Sequence, residues 1–295
     1  MANELALMKK DVVDVVENKV QEFITKGQLH LPAGYSPDNA MKSAWLILQS
    51  TVDREKKPVL SVCTKDTIAN ALLDMVVQGL NPAKKQGYFI AYGKSLVFQR
   101  SYFGSMALAK QVDDTIEDII AEIVYEGDTF KYAMVRGKKE ITLHEQALEN
   151  VNNRKIKAAY CMIIDHDGAI KKTEIMTYDE IKQAWKQSQM NPFDEKGEVK
   201  ASSTHGKFTA DMCKKTVINK ACKSIINSSS DSHLLRASMN RSDEIRTEVE
   251  VAEEIEENAN SEAIDIDYSV TDDDVPMITE PEKGQQTLTP DGPDF

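Results

Sequence analysis

The apolar residues of this chain change period twice. Residues 4–26 place Leu5, Met8, Val12, Val16, Val20 and Phe23 three or four apart and stop at Gly27, which predicts an amphipathic helix. Ser36-Pro37 is a helix cap followed by proline at the first helical position, and Met41, Ala44, Trp45, Leu48 and Val52 then share one face. A third helix is predicted over 64–78, with Ile68/Ala69, Leu72/Leu73 and Val76/Val77 inward, Gly79 at the left-handed end and Pro82 blocking continuation. From residue 88 the pattern falls to period two or to short apolar runs, over 88–92, 96–100, 116–125, 130–135, 156–164 and 170–176. Gly93-Lys94-Ser95, Arg136-Gly137-Lys138 and Asp165-His166-Asp167-Gly168 punctuate these segments as hairpin turns do. Helices then return. Thr177-Tyr178-Asp179-Glu180 is a capping box opening a helix through Trp185, and residues 208–226 are strongly periodic, with Phe208, Met212, Val217, Ala221 and Ile225 expected on the packed side. Between them, 187–206 is polar, contains Gly and Pro, and is expected to be a mobile loop. The order implies an α+β fold, helices flanking a central antiparallel hairpin and sheet region.

The charge divides as sharply as the hydropathy. The 295 residues carry 48 acids and 36 bases, a formal −12 that on its face excludes a nucleic-acid partner. Residues 241–295, however, hold 18 acids against Arg241, Arg246 and Lys283, or −15, so residues 1–240 carry +3. The body is mildly basic, as a nucleic-acid-binding body can be. The terminal segment is Glu, Asp, Ser, Thr, Pro and Gln with one aromatic before Phe295. It cannot bury enough apolar surface to offset its ordering entropy and is expected to be disordered, with a transient helix at most over 246–257. The expected divisions are thus an N-terminal helix over 1–34, able to serve either as an oligomer contact or as an internal packing helix, a binding core over 35–240, and an acidic tail over 241–295.

No apolar run approaches the roughly 18 residues of a spanning helix, and Met1-Ala2-Asn3-Glu4 lacks a basic region and an apolar signal core, so a cytoplasmic protein with no membrane partner is expected. Cys63, Cys161, Cys213 and Cys222 show no C-x-x-C spacing and sit in apolar stretches, which suits buried, reduced thiols.

Between Asp74 and Asp113 there is no acidic residue, yet the stretch holds Lys84, Lys85, Lys94, Arg100 and Lys110 together with Tyr88, Phe89, Tyr92, Phe98, Tyr102 and Phe103. Six of the chain's 19 aromatic residues thus fall in 38 positions. Cations neutralise phosphates and flat rings hold bases, which is what single-strand binding requires. Alternation along a strand sets Phe89 opposite Tyr88, so about half of these rings belong to the core. A second basic cluster, Lys207, Lys214, Lys215, Lys220 and Lys223, has only Asp211 between Lys200 and Asp231. At 100° per residue its lysines spread around the helix rather than forming one stripe, so a groove shared with the first cluster rests on their joint occurrence.

Gly79-Leu80-Asn81-Pro82, the run from Gly87 to Gly93, then Leu96-Val97-Phe98-Gln99-Arg100-Ser101-Tyr102-Phe103-Gly104 and Leu108-Ala109 resemble the central signature of RecT-type single-strand annealing proteins. Lys214-Lys215-Thr216-Val217-Ile218-Asn219-Lys220 is similar to that family's basic "KKT" helix. The resemblance covers roughly residues 35–230 in the right order. Many members have Pro where Ala91 stands, and Gly-Tyr-Arg-Gly where this chain has Arg100-Ser101-Tyr102-Phe103-Gly104. It implies a phage or prophage recombination protein that binds single-stranded DNA, forms rings or helical filaments, and anneals complementary strands into duplex without ATP or another cofactor, beside a phage exonuclease and a host single-strand-binding protein. No residue is assigned a catalytic role. The main phosphate contacts are expected at Lys94, Arg100, Lys214, Lys215 and Lys220, with Lys84, Lys85 and Lys223 beside them and Tyr92, Gln99, Tyr102 and Phe103 lining the groove.

Other readings carry less. Gly93-Lys94-Ser95 ends like a phosphate-binding loop, but the upstream glycine stands at Gly87, one position too far, and the interval is a strand. Asp194, Glu198 and Lys200 imitate a nuclease set within a polar loop, and the five histidines have no metal-ligand spacing. The alternative of a different class is an acidic interaction factor of DNA replication or repair without annealing activity. Its working part would be the tail, with Asp272-Asp273-Asp274-Val275-Pro276 and a terminal Asp291-Gly292-Pro293-Asp294-Phe295 similar to the tips of bacterial single-strand-binding proteins.

Overall fold

The computed structural model describes residues 2–187 and 192–229, with Leu235, Ala237 and Ser238. The acidic segment 241–295 lies outside them. The helical first part follows the expected periodicity. Helix α1 (Ala2–Thr25) buries Val12, Val16, Val20 and Phe23, and it packs against α4, so this stripe is used inside the chain. Helix α2 (Pro37–Ser50) begins where the Ser36 hydroxyl accepts the Asn39 N–H at 3.3 Å. A short α3 (Val59–Val62) leads to α4 (Lys65–Val77), capped by Thr64. Gly79 follows with φ +62°, and a Cβ there would stand 2.7 Å from Gln111 Nε2 and 2.9 Å from Pro32 Cδ, so both conformation and space require glycine.

The apolar core of these helices, with Trp45, Met41, Leu48, Ile68, Leu72 and Met75 fully buried, is open on one side. A hairpin closes it. Strands β1 (Gly87–Tyr92) and β2 (Ser95–Arg100) pair antiparallel, Phe89 opposite Phe98 and Ala91 opposite Leu96. Phe89, Leu96 and Phe98 join the core, with the Phe89 and Phe98 rings 5.3 Å apart. The hairpin tip is pinned to the start of α4, where the Lys94 carbonyl accepts the Thr64 N–H at 3.0 Å.

Helix α5 (Tyr102–Val112) connects to the second half, where β3 (Ile116–Tyr125) is followed by a separate hairpin, β4 (Thr129–Val135) and β5 (Lys138–Glu145). Strands β6 (Ile156–Asp165) and β7 (Ile170–Thr177) complete an antiparallel sheet in the order β3-β6-β7. Its Ile119, Ile123, Ala159, Cys161, Ile163 and Met176 face a helical layer made of α5, α6 (Tyr178–Lys186) and α8 (Thr209–Ser228). On the other face, Phe130 and Ile141 of the second hairpin pack on Val124, Ala158, Tyr160 and Ile175. Asp128 anchors that hairpin: its carboxylate accepts the Tyr125 N–H at 2.8 Å, Gln146 Nε2 at 2.8 Å and Asn150 Nδ2 at 3.1 Å. Burial pushes its carboxyl upward, but these bonds outweigh burial and hold it below the usual carboxylate range. The architecture is α+β with antiparallel sheets, as the periodicity implied, and all four cysteines are free and buried. Among the described residues no helix is long and apolar enough to cross a membrane.

Two expectations are corrected. The described part of 187–206 is an ordered turn, closed by a Phe193–Val199 bridge and by Asp194 Oδ1, which accepts the N–H groups of Lys196 and Glu198 at 2.9 Å each, before α7 (Thr204–Lys207). Residues 188–191 fall outside the description. The packed side of α8 keeps Val217 and Ala221 buried and Met212 and Ile225 partly buried against the core as expected, adds Thr209, Cys213, Ile218, Cys222 and Ile226, and loses Phe208. Phe208 is 56% exposed, because the chain breaks there between α7 and α8 (φ −124°, ψ 50°) and α8 starts one residue later than its periodicity suggests.

Candidate nucleic-acid interface

The turn before β1 sets two lysines on the surface. The Asn81 side chain accepts the Ala83 N–H at 2.9 Å, the Asn81 N–H donates to Gln86 Oε1 at 2.8 Å, and Lys85 takes a left-handed conformation (φ +57°), leaving Lys84 and Lys85 exposed. The other side of this turn is clamped to α5. The Ser101 hydroxyl donates to the Lys85 carbonyl at 2.6 Å while capping α5 through the Gly104 N–H at 3.2 Å. Clearance is minimal: a Cβ on Gly104 would lie 2.1 Å from the Gln86 carbonyl, and one on Gly87 would lie 2.2 Å from the Phe98 ring. Two glycines of the signature are therefore packing residues, and what they position is the neighbouring lysine turn.

Register decides which side chains of the hairpin face outward. Tyr88 opposes Gln99, Ile90 opposes Val97 and Tyr92 opposes Ser95, and these alternate with the core-facing Phe89, Ala91, Leu96 and Phe98. The outward face is thus bounded by Lys84 and Lys85 at one end and Lys94 at the other. Six residues of strand put these ends roughly 20 Å apart. Tyr88 is 53% exposed, while Tyr92 and Gln99 are half-buried. At the start of α5 the rings of Tyr102 and Phe103 lie 4.0 Å apart, and Phe103 is exposed. Burial, followed by the charge of Asp211 and by Tyr88, raises the Tyr102 hydroxyl above its ordinary value. Burial raises Tyr92 too, against Arg54. Both rings stay neutral at physiological pH and can meet a base without opposing its phosphate.

Arg100 is elsewhere. It is 5% exposed and points inward, its NH1 donating to Gln78 Oε1 at 2.9 Å and its Nε to Ser105 Oγ at 3.3 Å. The expectation of an Arg100 phosphate contact is corrected by phase: Arg100 opposes Gly87 and points to the core side of the ladder, where its stem lies against Gly104, at which a Cβ would stand 2.7 Å from Arg100 Cγ. Tyr88, absent from the expected set, occupies the place that alternation gives it.

The lysines of α8 meet acids from the sheet. Lys214 Nζ is 2.7 Å from Glu122 on β3 and Lys220 Nζ is 3.2 Å from Glu174 on β7, the two outer strands, so these lysines diverge to opposite edges. Lys215 is half-buried and its charge adds to the burial that lowers the His205 pKa; Lys223 is exposed. Near the aromatic end of the hairpin, α8 contributes Asp211 rather than a lysine. The two basic clusters are not gathered into one row; Lys84, Lys85 and Lys94 make no ion pair among the described residues, and neither do Lys110, which donates to the Glu117 carbonyl, and Lys207. None of the described His, Cys, Asp and Glu side chains forms a group able to hold a metal ion.

Residues 38–260, from the first turn of α2 through the hairpin and α8 into the acidic segment, match the model of the RecT family. The chain belongs to the RecT family. A comparison with curated proteins found no match. Membership makes this a single-strand annealing protein of DNA recombination. Within the RecT-family span, the signature residues divide into those that build the turn and clamp α5 (Asn81, Gly87, Arg100, Ser101, Gly104) and those left facing outward (Tyr88, Tyr92, Gln99), and Lys84, Lys85 and Lys94 lie in the turns between the signature runs.

Proposed function

We propose that the outward face of the β1–β2 hairpin binds the backbone and bases of single-stranded DNA, and that the chain anneals complementary strands without ATP. The carrying observation is that one face, drawn wholly from an acid-free stretch, sets Tyr88, Tyr92 and Gln99 between Lys84 and Lys85 at one end and Lys94 at the other. Annealing two polyanions requires screening their repulsion while leaving base edges free to pair, and contacts to phosphate that ignore sequence meet both demands. Phe103, exposed at the start of α5, extends the aromatic surface. Successive protomers, in a ring or helical filament, would join these short faces into a continuous track.

With about six phosphates neutralised per protomer, log affinity falls with log salt at a slope of roughly −4. The setting is phage-type recombination in the bacterial cytoplasm, beside an exonuclease that exposes single strands and the host protein that coats them. The test mixes purified protein with two complementary oligonucleotides, without nucleotide or metal, and follows duplex formation. Rapid annealing is expected. Degradation of the strands, or a need for ATP, overturns the reading.

A further inference from the structure

Beyond α8 the described chain resumes at Leu235, Ala237 and Ser238, and this short segment is built into the body. Leu235 packs against both apolar cores, at the seam between the helical half and the sheet half. Ser238 has no exposed surface: its hydroxyl accepts Gln78 Nε2 at 3.0 Å and donates to the Asp74 carbonyl at 3.2 Å. Gln78 in turn accepts from Arg100, and the neighbouring Ser101 holds the Lys85 carbonyl. The root of the acidic segment is therefore fastened to the inner side of the hairpin whose outer side carries the unpaired lysines. Its first acid, Asp243, is five residues past Ser238, a span of at most about 18 Å, and the 57 residues that follow Ser238 can reach any point of that face.

We propose that the acidic segment 243–295 docks in cis on Lys84, Lys85 and Lys94 when DNA is absent, and that single-stranded DNA displaces it. The inference rests on the reading that this face takes DNA, and it adds a built-in competitor. Charge selects the occupant: residues 241–295 carry −15, and the three lysines have no carboxylate partner among the described residues. Anchoring selects the place, because exposed charges interact mainly within about 10 Å at moderate salt and a tethered segment presents its acids at an effective concentration on the order of millimolar. DNA that covers the whole face recovers these contacts on one strand, whereas a fragment too short to do so must compete against a tethered rival. Binding would then release fewer ions in total, since the displaced acids regain their counterions, and the salt slope of the intact chain is shallower than its lysine count implies.

The test uses the full chain, as an equal mixture of isotopically heavy and light protein, treated without DNA by a carbodiimide that joins carboxylates directly to amines. Links from acids of 243–295 to Lys84, Lys85 and Lys94, within single copies and lost on saturation with oligo(dT), are expected. A full-length variant with the acids of 243–295 changed to their amides should bind oligo(dT) about tenfold more tightly at low salt, with a steeper salt slope and no gain near 1 M. Links spread evenly over other surface lysines, or found only between heavy and light copies, overturn the proposal. Links to these three lysines that survive saturating oligo(dT) leave the docking standing and overturn the DNA assignment instead; their absence from a protein that binds oligo(dT) through those lysines overturns the docking alone.

Discussion

Lys84, Lys85 and Lys94 resemble Lys214 and Lys220 along the sequence, since both sets lie in stretches nearly free of acids. In space they part. The hairpin lysines meet no carboxylate among the described residues, whereas Lys214 sits 2.7 Å from Glu122 and Lys220 sits 3.2 Å from Glu174. The cause is topological. The hairpin's neighbours on the clamped side are its own strands and the start of α5, all drawn from the same acid-free stretch, so its lysines meet no carboxylate, and the acid that the fold brings near, Asp211 of α8, acts on Tyr102 instead. Helix α8 lies across a sheet whose strands come from elsewhere in the chain and bring their own glutamates. Acid depletion in sequence predicts a positive surface only where the spatial neighbours are also sequence neighbours.

The comparison is open to breakage in order of effect. Arg100→Ala leaves the buried polar atoms of Gln78 and Ser105 without their guanidinium partner and should cost about 2–4 kcal/mol, read as a lower urea midpoint. A phosphate-contacting arginine would instead lower DNA affinity with the midpoint unchanged. The triple variant Lys84→Gln, Lys85→Gln, Lys94→Gln should keep its midpoint yet lose about a hundredfold in oligo(dT) affinity near 0.1 M salt, its salt slope becoming shallower by about 2, because each single-strand phosphate contact is worth roughly 0.7 in that slope. Tyr88→Ala, measured by fluorescence anisotropy, should weaken binding by about 1–2 kcal/mol if a base rests on its exposed ring. Lys214→Gln with Lys220→Gln should change stability by less than about 1 kcal/mol, as exposed ion pairs do, and weaken DNA binding least of the set. An α8 variant as damaging as the hairpin triple would reverse the comparison.

Much of the fold could be read from periodicity because its signals are local. Ser36, Thr64 and Thr177 cap helices through bonds to residues three positions ahead, and the strand runs from 88 to 100 and from 156 to 176 alternate as paired strands must. Helix α5 was not legible: its small residues, Gly104, Ser105, Ala107 and Ala109, give a weak apolar stripe, and its aromatic start reads as a continuation of β2. Strand β5 is polar on both faces apart from Ile141 and Leu143, since it packs by one edge of a two-stranded hairpin. At the site, residue types were legible and their directions were not. One step of register separates Arg100, which goes inward over Gly87, from Gln99, which faces outward opposite Tyr88. Which lysines keep a free charge depends on Glu122 and Glu174, more than 40 residues away in sequence.

The central claim is that DNA lies on the outward face of the hairpin, and lysine-reactivity footprinting of the intact protein with and without saturating oligo(dT) tests it most directly. The account predicts that Lys84, Lys85 and Lys94 become protected while Lys214 and Lys220 keep their DNA-free reactivity. Protection of Lys214 and Lys220 with the hairpin lysines unchanged would contradict it.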